Sequence, residues 1–470
     1  MLRRILIVFG YLFLTFLVVG LTIVLVAYGN DYRYDWATHK IIQNGHVIID
    51  SLPNNVNVSA DNRYLNKKTP YQAAYTVGKH TFGINLSGYY PWQKTVPIVA
   101  GQVTLLQYVI LVPKRPAETV LDSRTTIVAQ SMSKDHRHLA YITGGSQAAL
   151  YTLDLGNPHP VRLYTPKAAI PATPTTAAVP AEVLTGVTWS DDASHLLVSA
   201  TVGGQPEELL ASASGGTPMN LTQQYGFSFS GIQFSASNWQ QLYWIAPDGL
   251  RKLDLGAQTV SDIIASNAIQ FWMTPDRVLY AQQTPTGTEL WSVDSNDHQQ
   301  ELIEAMAHSS SYAVAYASFL GQDELAVVPS SNGTGTLYSG IFGSTPTATT
   351  IAHGVQNASF SPDGHLVAFS APAEVVVYDL NQSELMDKLV DYQITGQPGS
   401  LDSLSWFDNY HLLENRGGQL YWSEFDGGNS VKLDAIAGGF PAYSSSDTKS
   451  IFEFKQLSTS VHIDQVTIRH

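Results

Sequence analysis

Histidines and paired carboxylates are the side chains of this 470-residue chain with the most obvious capacity for chemistry. His136 and His138, two positions apart, would share one face of a strand and could chelate a metal. Yet His138-Leu139, His195-Leu196, His365-Leu366 and His411-Leu412 all read as one slot of a repeat, a polar residue entering an apolar strand. Equivalent slots of a ring point away from one another, so they build no shared site. Asp191-Asp192 and Asp294-Ser-Asn-Asp297 have the oxygen density of a calcium site but lack the Asp-x-Asn-x-Asn-Gly spacing, and read as solvated turns. Trp189, Trp272, Phe360 and Trp406 could stack on sugars, but they stand at strand ends where the repeat requires a core residue. Trp239 falls inside a turn and is the one ligand-binding candidate. The chain has no cysteine, which removes disulfides, thiolate metal sites and thiol nucleophiles. It also lacks a Gly-x-Ser-x-Gly elbow and a phosphate-binding glycine loop before a helix. No catalytic, metal or cofactor residue and no cofactor are therefore expected of this chain.

The elements that would carry these residues repeat. Leu150-Tyr-Thr-Leu-Asp-Leu155 returns as Leu209–Ala213, Leu250–Leu255, Leu290–Asp294, Leu337–Ile341, Val376–Leu380 and Leu420–Glu424, with first positions 59, 41, 40, 47, 39 and 44 residues apart. A period of about 40–45 residues with several strands per unit marks a β-propeller, whose blades bury their faces against one another. The turn before each apolar strand also recurs, most clearly as Phe360-Ser-Pro-Asp-Gly-His-Leu-Val-Ala-Phe369. Weaker copies run from Met132, Trp189, Phe234, Thr274, Trp406 and Tyr443. Counting turns predicts eight units over 118–470, or seven if the first or last is partial. A strand near Thr119–Leu121 is available to close the ring and cover an open edge. Residues 166–182, rich in Pro, Ala and Thr, read as a flexible insertion and account for the longest gap. Apart from the N-terminal segment, nothing reads as helix.

Ile5 to Tyr28 is an uncharged apolar run whose 24 residues would span about 36 Å as a helix, enough for a hydrocarbon core of about 30 Å. Arg3 and Arg4 precede it and would hold residues 1–4 in the cytoplasm, leaving the bulk of the chain outside the plasma membrane. A cleaved signal peptide is the alternative, but Ala27-Tyr28-Gly29 is a poor cleavage site after so long a core. Residues 29–44, with Tyr32, Tyr34 and Trp36, read as an interfacial stalk. A net charge of −14 excludes the basic footprint that nucleic acid requires. Only 14% of residues are charged, so the surface must be polar through Ser, Thr, Asn, Gln and Gly.

Residues 45–113 contain six or seven short strands between Pro, Asn and Gly turns, the pattern of a small β-sandwich. Within them Ser51-x-Pro53, Val56-x-Val58, Asp61, Thr69-Pro70, Gly78-x-His80, Gly88-Tyr89-x-x-Trp92 and Gly101 follow one another in an order that closely resembles the PEGA family. The eponymous Glu-Gly-Ala is replaced by Asn54-Asn55-Val56; Asn tolerates left-handed backbone, so the turn should persist. The resemblance implies a non-catalytic module of prokaryotic envelope and surface proteins. The Ser-Pro-Asp-Gly turn and its copies resemble TolB-type and WD-like propellers. Together these predict an all-β, non-enzymatic protein: a transmembrane anchor (5–28), a stalk, a PEGA-like sandwich and a seven- or eight-bladed propeller, eight favoured. Its expected partners are the bilayer, through the helix, and an envelope protein or cell-wall glycan, through the propeller face. The alternatives are a cryptic hydrolase or lyase in the propeller channel, or an envelope assembly or sensor factor.

Overall fold

The computed structural model describes residues 2–29, 31–35, 39–172, 178–294, 300–306, 308–343, 346–386 and 388–469. It divides into two compact units, Met1–Pro116 with Ile468–His470, and Ala117–Thr467.

In the first unit the apolar run forms one α-helix, Leu2–Gly29, long and apolar enough to cross a membrane over Ile7–Gly29. The stalk residues fold into a hairpin, Tyr32–Asp35 against Lys40–Gln43; Trp36 lies outside the described residues. Arg33 ties the hairpin to the helix end, its guanidinium 3.8 Å from the Tyr28 ring centroid and 2.9 Å from the Tyr28 carbonyl. The sandwich follows. Gly45–Leu52 pairs antiparallel with Tyr71–Tyr75 and parallel with Val103–Ile110. The facing sheet orders Arg63–Lys68, Asn57–Ala60, Gly78–Ile84 and Trp92–Ile98. The polar stretch Arg63–Lys68 thus contributes a strand of its own. Strict alternation puts Val47, Ile49, Val58, Phe82, Ile84 and Leu106 into a core between the sheets. Asn55 adopts φ +61°, the left-handed backbone its turn was expected to need.

In the second unit, among the described residues, eight antiparallel sheets succeed one another, each built on a four-strand path. Their first strands are Ile127–Met132, Glu182–Trp189, Ser230–Phe234, Ala268–Met273, Tyr312–Phe319, Asn357–Phe360, Leu401–Trp406 and Tyr443–Ser444. The eighth sheet is composite: Tyr443–Ser444, Ser450–Gln456 and Val461–Thr467 are completed by Ala117–Arg124 from the start of the unit. The ring is closed by this strand, and the edge it covers would otherwise present bare N–H and C=O groups. The second and third strands of most sheets are apolar on both faces, because each sheet is packed between two others. Leu150 and Ile142 of the first sheet meet Leu196 and Leu209 of the second, while Leu139 and Tyr141 meet Phe454 and Ile463 of the eighth.

Polar side chains stitch neighbouring first strands together. The Gln270 amide donates to the Tyr312 carbonyl (2.8 Å) and accepts from its N–H (2.9 Å). Trp189 and Trp406 send indole N–H groups to the carbonyls of Ser131 (3.0 Å) and Ser359 (3.4 Å). The Tyr443 hydroxyl reaches Gln130 Oε1 at 2.6 Å, across a separation of 313 residues.

Two short helices correct the expectation that nothing beyond the anchor is helical. Leu221–Tyr225 starts on an Asn220 cap, whose side chain accepts from the Gln223 N–H (2.9 Å), and stops at Gly226 with φ +71°. Leu380–Met386 begins where Asp379 accepts from the Gln382 N–H (2.8 Å). An Asn or Asp precedes each helix in the sequence, but the helices are too short for periodicity to expose. Of the 166–182 insertion, 173–177 lie outside the described residues; its base carries an antiparallel bridge between Ile170 and Val179. Glu182, at its far end, is buried and accepts from the Tyr164 hydroxyl (2.5 Å) and the Lys167 N–H (2.9 Å).

Candidate functional site

The recurring turn owes its sequence to one hydrogen-bond scheme. Ser133, Ser190, Ser361 and Ser445 each donate a hydroxyl to the aspartate two residues on, at 2.6, 2.6, 2.9 and 2.7 Å. The same hydroxyl accepts the N–H of the residue five positions on: His138 (2.9 Å), His195 (3.0 Å), Leu366 (3.1 Å) and Ser450 (2.9 Å). Burial alone would raise Asp192 and Asp363. Hydroxyl and N–H donors, with the imidazole of His195 or His365 nearby, hold both below the usual carboxylate range. These aspartates serve the turns.

Register corrects one histidine. His138, His195 and His411 immediately precede Leu139, Leu196 and Leu412, which pair with the last residues of the first strands, Met132, Trp189 and Trp406. In the sixth sheet Phe360 pairs with Val367, so Leu366 holds that slot and His365 stands one place earlier. The Ser361 turn spans as many residues as those of Ser133 and Ser190, but its histidine comes one residue sooner. His365 Nδ1 instead lies 2.6 Å from Asp363 Oδ1. Nor do the histidines simply point away: His138 approaches Trp189 (ring centroids 6.0 Å), His195 stacks on Trp239 (3.5 Å, 15°) and His365 meets Tyr410 (5.0 Å), each an aromatic of the following sheet. They are inter-sheet packing groups. His136 and His138 do not converge, since His136 Nδ1 is engaged 2.9 Å from the Ser444 carbonyl.

Trp189 and Trp406 are buried, and Trp272 and Phe360 pack partly buried against neighbouring cores. Trp239 is half-buried, with one ring face covered by His195. Asp191 pairs with Lys134 at 2.5 Å, and Asp297 lies outside the described residues. Among the described residues no group of three or more His, Asp or Glu is placed to hold a metal ion.

Sequence reasoning missed two features. The first is a set of charges buried between sheets. Arg416 (1% exposed) and Glu414 (0%) pair at 2.7 Å, the Ser423 hydroxyl donates to Glu414 at 2.8 Å, and Arg416 Nη1 lies 3.4 Å from the Pro372 carbonyl and 3.5 Å from that of Gly399. Glu453 (1%) and Asp464 (3%) stand opposite one another across the closing strands, and neither Glu453 oxygen has a hydrogen-bond partner within the protein. Burial, reinforced by Asp434, pushes Glu453 up to about 8 against the opposing pull of Lys455. A period-2 reading places such residues outside; only packing on both faces of the sheet buries them.

The second is a cleft of about 320 Å³ where the first strands of the sixth and seventh sheets begin. Gln356, Asn357, Asp402 and Ser403 supply its polar lining, while Ala358, Ala371, Pro372, Leu401, Leu404 and Pro441 supply apolar walls. The frame is tied down: Gln356 N–H donates to the Ser370 carbonyl (2.8 Å), Leu401 N–H to the Pro372 carbonyl (2.8 Å) and the Ser405 hydroxyl to the Ala442 carbonyl (2.6 Å). Gly399 turns the incoming chain at φ +91°, where a Cβ would lie 3.1 Å from the Arg416 carbonyl oxygen. The side chains of Gln356, Asn357 and Asp402 are exposed and make no hydrogen bond within the protein. The lining contains no lysine, arginine or histidine.

No curated protein matches the sequence. Among solved structures, the chain is similar to the Dos1 propeller at 12% identity, covering 75% of this chain and 95% of that one with a TM-score of 0.47. It is also similar to oligogalacturonate lyase from Vibrio parahaemolyticus, at 10% identity over 76% and 95% of the two chains with a TM-score of 0.42. Residues 44–112 match the model of the PEGA domain, and the sandwich of the first unit is that domain.

Proposed function

We propose that this chain is a membrane-anchored, non-catalytic binding protein that presents its PEGA domain and propeller outside the cell and engages an envelope protein or cell-wall glycan through the propeller face. The anchor is the Leu2–Gly29 helix, whose described side chains from Ile7 onward are almost all exposed apolar groups, none of them buried within the protein. Lipid is the solvent that such a surface requires.

The observation that carries the non-catalytic reading is the chemistry of the first strands, which face the channel in a propeller. Across all eight of them the charged residues are Glu182 and Asp402, and no His, Lys or Arg occurs. Glu182 is already engaged by Tyr164 and Lys167. Hydrolysis or elimination needs a positioned acid and base, or an electrophile to stabilise developing charge. One exposed carboxylate supplies neither pair nor electrophile, whereas a polar, uncharged rim on a rigid frame suits recognition.

The test is site-specific photo-crosslinking of the full chain in its native membrane, with the photoreactive residue at Asn357. A discrete covalent adduct with an envelope component supports the reading. Absence of any adduct, or turnover of a polysaccharide or ester substrate by the purified chain that Asp402→Ala abolishes, overturns it. Protease shaving of intact cells should remove the propeller; full protection would overturn the topology.

A further inference from the structure

We propose that the cleft between the sixth and seventh sheets binds an N-acetylated sugar unit of an uncharged glycan. The inference rests on the binding reading above and specifies its ligand. Gln356 and Asn357 each offer a primary amide, donor and acceptor together, the complement of an acetamido group. Asp402 accepts without donating, which suits ring hydroxyls. Ala358, Ala371 and Pro372 give an apolar wall against which an acetyl methyl loses its contact with water. About 320 Å³ falls at the lower end of small-ligand sites, room for one or two sugar units and not for a folded partner.

Charge decides among ligand classes. With Asp402 in the lining and no cation there, a uronate or phosphate would enter against an uncompensated carboxylate. The chain as a whole carries a net charge of −14, which also repels polyanions. The frame is preorganised by the Gln356, Leu401 and Ser405 hydrogen bonds and by the buried Arg416 at the Pro372 and Gly399 carbonyls, so little ordering cost opposes binding.

The experiment titrates the full chain in detergent micelles with three probes: the tetramers of N-acetylglucosamine, of glucose and of galacturonate. Saturable binding of the acetylated tetramer is expected with Kd below about 1 mM, at least about ten-fold tighter than the galacturonate or the glucose tetramer. Asn357→Ala and Asp402→Ala should each weaken it by about ten-fold while leaving the melting temperature unchanged. Asp191→Asn, in a remote turn, should leave affinity unchanged and serves as control. Equal binding of all three probes, or of the acetylated tetramer to wild type and both cleft variants, overturns the proposal. So does no binding at all; if crosslinking from Asn357 then still captures a protein, the scaffold reading stands and the glycan assignment alone falls.

Discussion

Replacing Glu453 by Gln should stabilise the propeller, and increasingly so as pH rises. Glu453 sits at the seam where Ala117–Arg124 joins the C-terminal strands, opposite Asp464, with Glu118 on the N-terminal strand, Asp434 on the seventh sheet and Lys455 on the closing strands as its charged neighbours, while His462 acts on Asp464. Lys455 is committed elsewhere, 2.5 Å from Asp434 and 3.4 Å from Glu118. Burial raises Glu453 to about 8, well above the ordinary range of a glutamate. The folded state therefore favours the protonated acid. Its stabilising contribution is complete below the unfolded value and is lost as pH climbs through the folded one. At about 1.4 kcal/mol per unit, the loss reaches roughly 3 kcal/mol at pH 7 and at most about 5 kcal/mol above pH 8, with relaxation of the seam reducing both. Gln has the same shape and no charge. Wild type and variant should thus unfold at nearly the same urea concentration at pH 5. At pH 8 the variant should gain several kcal/mol, read from tryptophan fluorescence, since seven of the nine tryptophans lie in the propeller. Asp464, also raised chiefly by burial, leaves a residual slope in both. A wild type–variant difference that is flat from pH 5 to pH 8 would refute the reasoning.

Three further perturbations bear on the same frame. Arg416→Ala should cost about 3–5 kcal/mol in urea titration by stranding buried Glu414, while the double change to Met at 416 and Gln at 414 should cost much less. Gly249→Ala places a Cβ 2.2 Å from the Ala265 carbonyl oxygen at φ +140°, so a loss of at least about 2 kcal/mol is expected; a variant melting like wild type would contradict it. Deleting Ala117–Arg124 uncovers the edge of Val461–Thr467, and size-exclusion chromatography should then show self-association in place of the wild-type profile.

Much of the architecture was legible because it is written locally. The Leu150-type phrase and the Ser-x-Asp turn recur because each sheet solves the same problem within about 40 residues, and the PEGA domain announces itself through its turn residues. The slot containing His365 was misjudged because a His-Leu pair was matched by its letters: the Ser361 turn is as long as those of Ser133 and Ser190, and Leu366 fills the place that His138 and His195 take there. Glu414, Arg416 and Glu453 were invisible because strand periodicity assumes one wet face, and a propeller sheet has neighbours on both sides. The cleft residues carried no signal at all, since Asn357 and Asp402 are ordinary polar positions until two sheets set them side by side.

What the order of residues determines by itself, then, is the repeating unit, the apolar helix and the kind of module between them, since each depends on interactions among near neighbours in the chain. The closing strand near Thr119–Leu121 could be anticipated, but the seam carboxylates and the cleft were decided only by tertiary structure. Tyr443 meets Gln130 from 313 residues away, and no local pattern encodes which sheet will face which. The physical reason is that burial and hydrogen-bond satisfaction belong to the assembled ring, where the first and last strands complete one sheet.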